Sequence, residues 1–244
     1  MSMESKIQSR SEKLYCVLIS AFVGLLVITN IIGVKLFLAF PTAMPNGLFG
    51  EPITLTTGLI TYPLTFLLTD FVCEVYGRRR ANLMVFTGFG LSILTLLFIQ
   101  VALALPGAPA WSSGHEHFGT IREMQIAYES VFTLPGVLIF ASMTAYLIAQ
   151  LIDVRLYHFW KRVTSGRHLW LRNNASTMFS QLIDTIIVNS IFLKWGMGLE
   201  WQLVIQIIIA AYLFKILIAA IDTPLIYVGV ALSRRFGLDP LPVT

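Results

Sequence analysis

The sequence predicts an all-α integral membrane protein of six transmembrane helices with both termini on the cytoplasmic side. Three observations carry that prediction. Six apolar runs are each long enough to cross a bilayer, which takes about 20 residues for roughly 30 Å of hydrocarbon. Of the 244 residues 56% are hydrophobic and only 12% charged, with a mean hydropathy of +0.76, whereas soluble domains carry about 25% charged residues. The basic residues fall in alternate connections along the chain. A soluble enzyme is excluded by such a composition.

The runs are Leu14 to Phe40, Ile53 to Val72, Ala81 to Leu105, Leu134 to Phe159, Ala175 to Leu193 and Leu203 to Leu232. Residues 1–13 are polar and mixed in charge, and the first run is far longer than a signal-peptide core, so it reads as a retained helix. Connections are short except 106–133. There Pro106, Gly107, Pro109 and Gly114 stand among Trp111 and Phe118, which predicts a partly ordered interfacial segment. No linker is polar enough to separate domains, so residues 1–244 read as a single transmembrane domain.

Orientation follows from lysine and arginine, which concentrate in short cytoplasmic loops beside the spans. Thirteen of the 17 lie on one side: Lys6, Arg10 and Lys13 before the first run, Arg78 to Arg80 after the second, Arg155, Lys161, Arg162, Arg167 and Arg172 after the fourth, and Arg234 and Arg235 in the tail. The opposite connections hold only Arg122 and Lys194, among five glutamates. Lys35 and Lys215 fall inside runs. The net charge of +4 is thereby explained as topology, not nucleic-acid binding. Cys16 and Cys73 have no metal-type spacing and fall near the reducing cytoplasmic side, so neither a disulfide nor a metal site is expected.

Ionisable groups inside a bilayer are expensive unless paired or facing a cavity, and they carry the functional information. Asp184 lies near the middle of the fifth run with Gln181 three residues before it. Lys215 and Asp222 lie in the sixth, seven residues apart and so on one helical face. Asn30 follows Thr29 in the first run, with Lys35 farther outward; Asp70 and Glu74 share a face at the inner end of the second; Gln150 and Asp153 do so in the fourth. Lys35 also reads as a snorkelling lysine, and Asp70, Glu74 and Asp153 as headgroup-level partners of Arg78 or Arg155. Lys215 also reads as the internal counter-ion of Asp184 or Asp222. Pro63 and Pro224 each remove a helix hydrogen bond, a device of interrupted transporter helices. Gln-Leu-Ile-Asp occurs at both Gln150 to Asp153 and Gln181 to Asp184, a weak hint of a repeat.

Phosphate-binding loops, His-Glu-x-x-His and Gly-x-Ser-x-Gly are absent, and His115, His117, His158 and His168 fall outside the span centres. The chain therefore reads as a transporter or a substrate-binding membrane subunit, without a cofactor and not an enzyme. Small-x-x-x-small spacing such as Ser20 to Gly24 packs neighbouring spans or, less commonly, a second copy in a homo-oligomer.

Several stretches carry a resemblance: Thr29-Asn30-Ile31 with Lys35; Tyr62-Pro63-Leu64-Thr65; Asp70-Phe71-Val72-Cys73-Glu74-Val75-Tyr76-Gly77; Trp170-Leu171-Arg172-Asn173-Asn174-Ala175-Ser176-Thr177; and Gln181 to Thr185. On these the chain resembles the queuosine precursor transporter family, formerly described as vitamin uptake transporters. The resemblance implies uptake of 7-cyano-7-deazaguanine, or 7-aminomethyl-7-deazaguanine, across a bacterial inner membrane. It also implies a six-helix plan like that of the substrate-binding subunits of energy-coupling-factor vitamin transporters. A carrier acting alone, a subunit needing an ATPase, and a carrier of another purine-like or vitamin-like molecule remain distinct readings.

A deazaguanine presents two donors on one edge, which a single carboxylate accepts as a pair, and a carbonyl that needs a donor. Asp184, or failing that Glu74, is the expected reader of that edge, with Gln181, Asn30 and Gln150 as further contacts. Tyr62, Tyr76 and Trp170 are candidate stacking surfaces. Asp222, Asp153 or Asp70 would carry a proton if uptake is proton-coupled; the rival is facilitated diffusion with trapping by intracellular modification.

Overall fold

The structure, a computed structural model, describes residues 3–40, 52–112, 118–163 and 169–235. In chain order these form helix α1 (Met3–Ile32), strands β1 (Leu36–Leu38) and β2 (Thr54–Thr56), then α2 (Gly58–Tyr76), α3 (Arg78–Ala104), α4 (Ile121–Phe132), α5 (Leu134–Val163), α6 (Leu169–Asn189) and α7 (Trp201–Arg235). A 3-10 turn, Pro109–Trp111, precedes α4, and a π-helical segment, Ser190–Gly196, continues α6.

Four stretches are long and apolar enough to cross a membrane: Arg10–Ile32, Arg79–Ala104, Ile121–Ala149 and Trp201–Ile218. Along them large apolar side chains point outward, among them Val17, Phe86, Phe98 and Phe140. So much exposed apolar surface would drive aggregation in water but is matched by hydrocarbon. The chain is a multi-pass, mainly α-helical membrane protein.

Two predicted boundaries are corrected. The first run was expected to stay helical to Phe40 and the second to begin at Ile53, but α1 ends at Ile32 and α2 starts at Gly58. The residues between include a two-stranded antiparallel hairpin with Leu36 opposite Thr56, Phe37 opposite Leu55 and Leu38 opposite Thr54. β-Branched Thr54 and Thr56 suit a strand. Thr57 donates its hydroxyl to the Ile32 and Lys35 carbonyls, which α1 leaves without helical partners. Gly58 packs closely at this turn, where an added Cβ would stand 3.4 Å from the Gly33 Cα.

Two compact units divide the chain. The first comprises Met1–Lys35, Thr57–Phe98 and Leu217–Thr244. Its core gathers Tyr15, Phe22, Val72, Val75, Tyr76, Ala81 and Met84. Gly77, at φ +83°, turns α2 into α3, and three residues on Arg80 forks onto Glu12 at 2.6 and 3.1 Å. The guanidinium lies over the Tyr15 and Tyr76 rings, 5.0 and 5.9 Å from their centroids. The Tyr76 hydroxyl donates to the Ser11 carbonyl and the Tyr15 hydroxyl to that of Arg80. Burial raises the Tyr76 phenol above its ordinary pKa, so it remains a protonated donor. Arg80 thus fastens α1 to the α2–α3 turn.

The second unit comprises Leu36–Thr56 and Ile99–Ile216. α5 packs along α6, and Phe192, Leu193, Val204 and Ile207 are fully buried. Gly196 lets the π segment close on Val137, whose Cγ1 would stand 2.7 Å from an added Cβ. α4 (Ile121–Phe132) fills part of the connection expected to be a partly ordered interfacial segment. Thr120 and Glu123 form a reciprocal capping box at its start, and helical backbone at Thr133 carries it to the start of α5, where Pro135 lacks the donor for a further bond.

Candidate functional site

The polar residues of α6 recur at four- and five-residue intervals, which brings them to one side of the helix. Ser180, Thr185 and Asn189 are buried, and Gln181 and Asp184 are half-buried. Thr185 donates its hydroxyl to the Gln181 carbonyl at 2.7 Å, and the Asn189 amide donates to the Thr185 carbonyl at 2.8 Å. These bonds satisfy side chains that would otherwise be buried without partners.

Facing them, α7 supplies Lys215, whose Nζ donates to Asp184 Oδ2 at 2.9 Å. Their side chains are 9% and 21% exposed. Removing either charge alone from water costs several kcal/mol, and the partner is what offsets it. One turn earlier on α7, the Tyr212 hydroxyl donates to the Met178 carbonyl at 3.1 Å, a second tie between the same helices. Asp184 Oδ1 accepts no hydrogen bond among the described residues. The arrangement is a neutralised carboxylate with one oxygen open, beside an ammonium and an amide.

A separate polar group lies within the first unit. Asn30 is 7% exposed, and its amide donates to the Ser92 hydroxyl at 3.4 Å. The Thr29 and Thr61 hydroxyls are 2.6 Å apart.

Among the described residues singled out from the sequence, Asp184 and Lys215 form a direct pair, and Gln181 lies three residues before Asp184 on α6. Lys35 is not within a span: it follows α1 in the connection to β1, with its side chain exposed, because the helix ends at Ile32. Asp70 is exposed on α2. Tyr62 and Glu74 on α2, Gln150 and Asp153 on α5 and Asp222 on α7 have side chains outside the described residues, as do Trp170 and the loop histidines His115, His117 and His168. Tyr76 is corrected as a stacking surface, since its ring lies buried beneath Arg80 and its hydroxyl is held by Ser11. Pro63 and Pro224 do not interrupt their helices, which run on through both; losing one bond bends a long helix without ending it when its neighbours are packed. The irregular turn lies instead in the π segment after Asn189. Thr185, Asn189 and Ser180 were missed, although the interval of four from Gln181 to Thr185 to Asn189 was readable. Among the described residues no three His, Cys, Asp or Glu side chains converge as metal ligands.

Comparison with known proteins adds three kinds of finding. Residues 56–229 match the family described as "Putative vitamin uptake transporter". The "Probable queuosine precursor transporter" of Bacillus subtilis (strain 168) is 32% identical over 204 residues, 80% of this chain and 82% of that protein. The "Queuosine precursor transporter" of Escherichia coli (strain K12) is 28% identical over 171 residues, 68% of each chain. No solved structure matches.

Proposed function

The chain belongs to the family so described, one of transporters rather than enzymes, and on that premise we propose that it imports a queuosine precursor, a 7-deazaguanine base, across the bacterial inner membrane. The names of its relatives support the substrate class, and the observation that carries the site is the Asp184–Lys215 pair between α6 and α7. The open Oδ1 of Asp184 accepts from the ring N–H and the exocyclic amine of the guanine-like edge. The ligand's ring carbonyl takes a proton donor from Lys215 or Gln181. Lys215 supplies the counter-charge to Asp184, so an uncharged base binds without having to bring one.

α1, α2, α3, α5, α6 and α7 serve as six crossings with both termini cytoplasmic, a plan like that of energy-coupling-factor substrate subunits. The alternation of basic residues supports this orientation. Residues 1–244 then act as one transporter domain. Asn30, Glu74, Gln150, Asp153 and Tyr62 are further ligand contacts to be tested singly, and Asp222 and Asp70 are the candidates for proton coupling.

Calorimetric titration of the detergent-purified protein with 7-cyano-7-deazaguanine tests the assignment. Asp184→Asn preserves shape but turns one acceptor oxygen into a donor, and should weaken binding tenfold or more, about 1.4 kcal/mol for one charge-assisted bond. Unchanged affinity would remove Asp184 from the site. Uptake into proteoliposomes with and without a pH gradient separates proton coupling from facilitated diffusion: equal plateaus exclude coupling.

A further inference from the structure

Where the apolar stretch Arg79–Ala104 gives out, α4 lies against the end of α3 and encloses a groove of about 580 Å³. Its aliphatic wall includes Leu105, Ile121 and Ile126, and its polar side chains are Arg122, Gln125 and Glu129. Several contacts hold these walls in place. The Gln125 amide donates to the Leu103 carbonyl at 3.2 Å and to Glu129 Oε1 at 2.8 Å. Tyr128 packs between Trp111, edge to face, and Phe132, at a tilt, with centroids 5.6 and 4.5 Å away. Gly107 admits Ile121 and Trp111, whose atoms an added Cβ would meet at 2.8 and 2.9 Å.

The charges in the groove are one of each sign. Arg122 and Glu129 lie seven residues apart, so on one face of α4 and about 10 Å apart along its axis. Neither enters an ion pair among the described residues. Glu123 is committed to the capping box with Thr120. Leu105 and Ile126 present exposed apolar surface at the rim. α4 opens the apolar stretch Ile121–Ala149, and a helix with apolar and charged faces at the end of such a stretch is suited to headgroup depth.

We propose that this groove binds a phospholipid whose headgroup is zwitterionic and carries a primary ammonium. Arg122 takes the phosphate, Glu129 takes the ammonium, and an acyl chain runs over Leu105 and Ile126. An anionic lipid without an ammonium leaves Glu129 facing negative charge. A quaternary ammonium has no N–H to donate to Glu129.

Native mass spectrometry of the full-length, delipidated protein with phosphatidylethanolamine, phosphatidylcholine and phosphatidylglycerol of matched chains tests this. The expected result is at least threefold tighter retention of phosphatidylethanolamine than of either competitor. Glu129→Gln should abolish the preference over phosphatidylcholine, and Arg122→Gln should weaken retention of both zwitterionic lipids. Equal retention of all three lipids by the native protein, a preference over phosphatidylcholine intact in Glu129→Gln, or retention of the zwitterionic lipids unchanged in Arg122→Gln would overturn the proposal. Because the substitutions act at opposite ends of the groove, each remains decisive if the other protein does not fold. Retention of 7-cyano-7-deazaguanine at this groove, displaced by Arg122→Gln, would instead assign it to solute capture and also overturn the lipid reading.

Discussion

Asp184 and Lys215 are 31 residues apart in the chain and 2.9 Å apart in space. Breaking such a pair from one side leaves an uncompensated charge, which destabilises by about 3 to 5 kcal/mol, whereas removing both charges is far milder. Lys215→Met should therefore lower the thermal unfolding midpoint in detergent markedly, and adding Asp184→Asn to it should restore most of the loss. A double variant as unstable as Lys215→Met alone would show that the lysine acts through packing rather than charge. Periodicity put Lys215 and Asp222 on one face of the last helix, but it says nothing about how far α7 is slid along α6. That Lys215 meets Asp184 could for that reason be read only from the packed helices. Arg80 illustrates the same limit, since its place in a basic cluster was readable while its fork on Glu12 depends on a residue 68 positions away.

The helices themselves were legible because burial in hydrocarbon demands long apolar runs, and long runs dominate any hydropathy reading. Short elements were not. A three-residue strand flanked by apolar residues cannot be told from the end of a helix by hydrophobicity, which hid β1 and β2. α4 had a readable start, Thr120 followed by Glu123 three residues later, but the prolines and glycines just before it suggested a loop. Thr120→Ala should destabilise α4 by about 1 kcal/mol. Faster amide exchange confined to residues 121–124 is the expected signature. Gly196→Ala forces a methyl into Val137 and should reduce stability by about 1 to 3 kcal/mol, the usual range for overpacking, read from the unfolding midpoint in detergent.

Across the protein, Phe86, Phe98, Leu213 and Leu217 each present an exposed apolar side chain of the kind that lipid covers. Reporter fusions should place both termini on the cytoplasmic side, and a reporter inserted after Ser112 on the opposite one. A periplasmic signal at either terminus would refute the six-crossing plan. The π segment Ser190–Gly196 bears on how this architecture tolerates changes of length. Its i→i+5 bonding holds a surplus residue, so the connection from α6 to α7 contains its own slack. Deleting exposed Trp195 should let the turn tighten to an ordinary helix with the fold retained. Deleting Ile186 would instead swing buried Phe192 and Leu193 by about 100° around the axis relative to Asp184, away from the interior they now fill. Insertions and deletions among relatives should accordingly gather at that turn and spare the four turns before it.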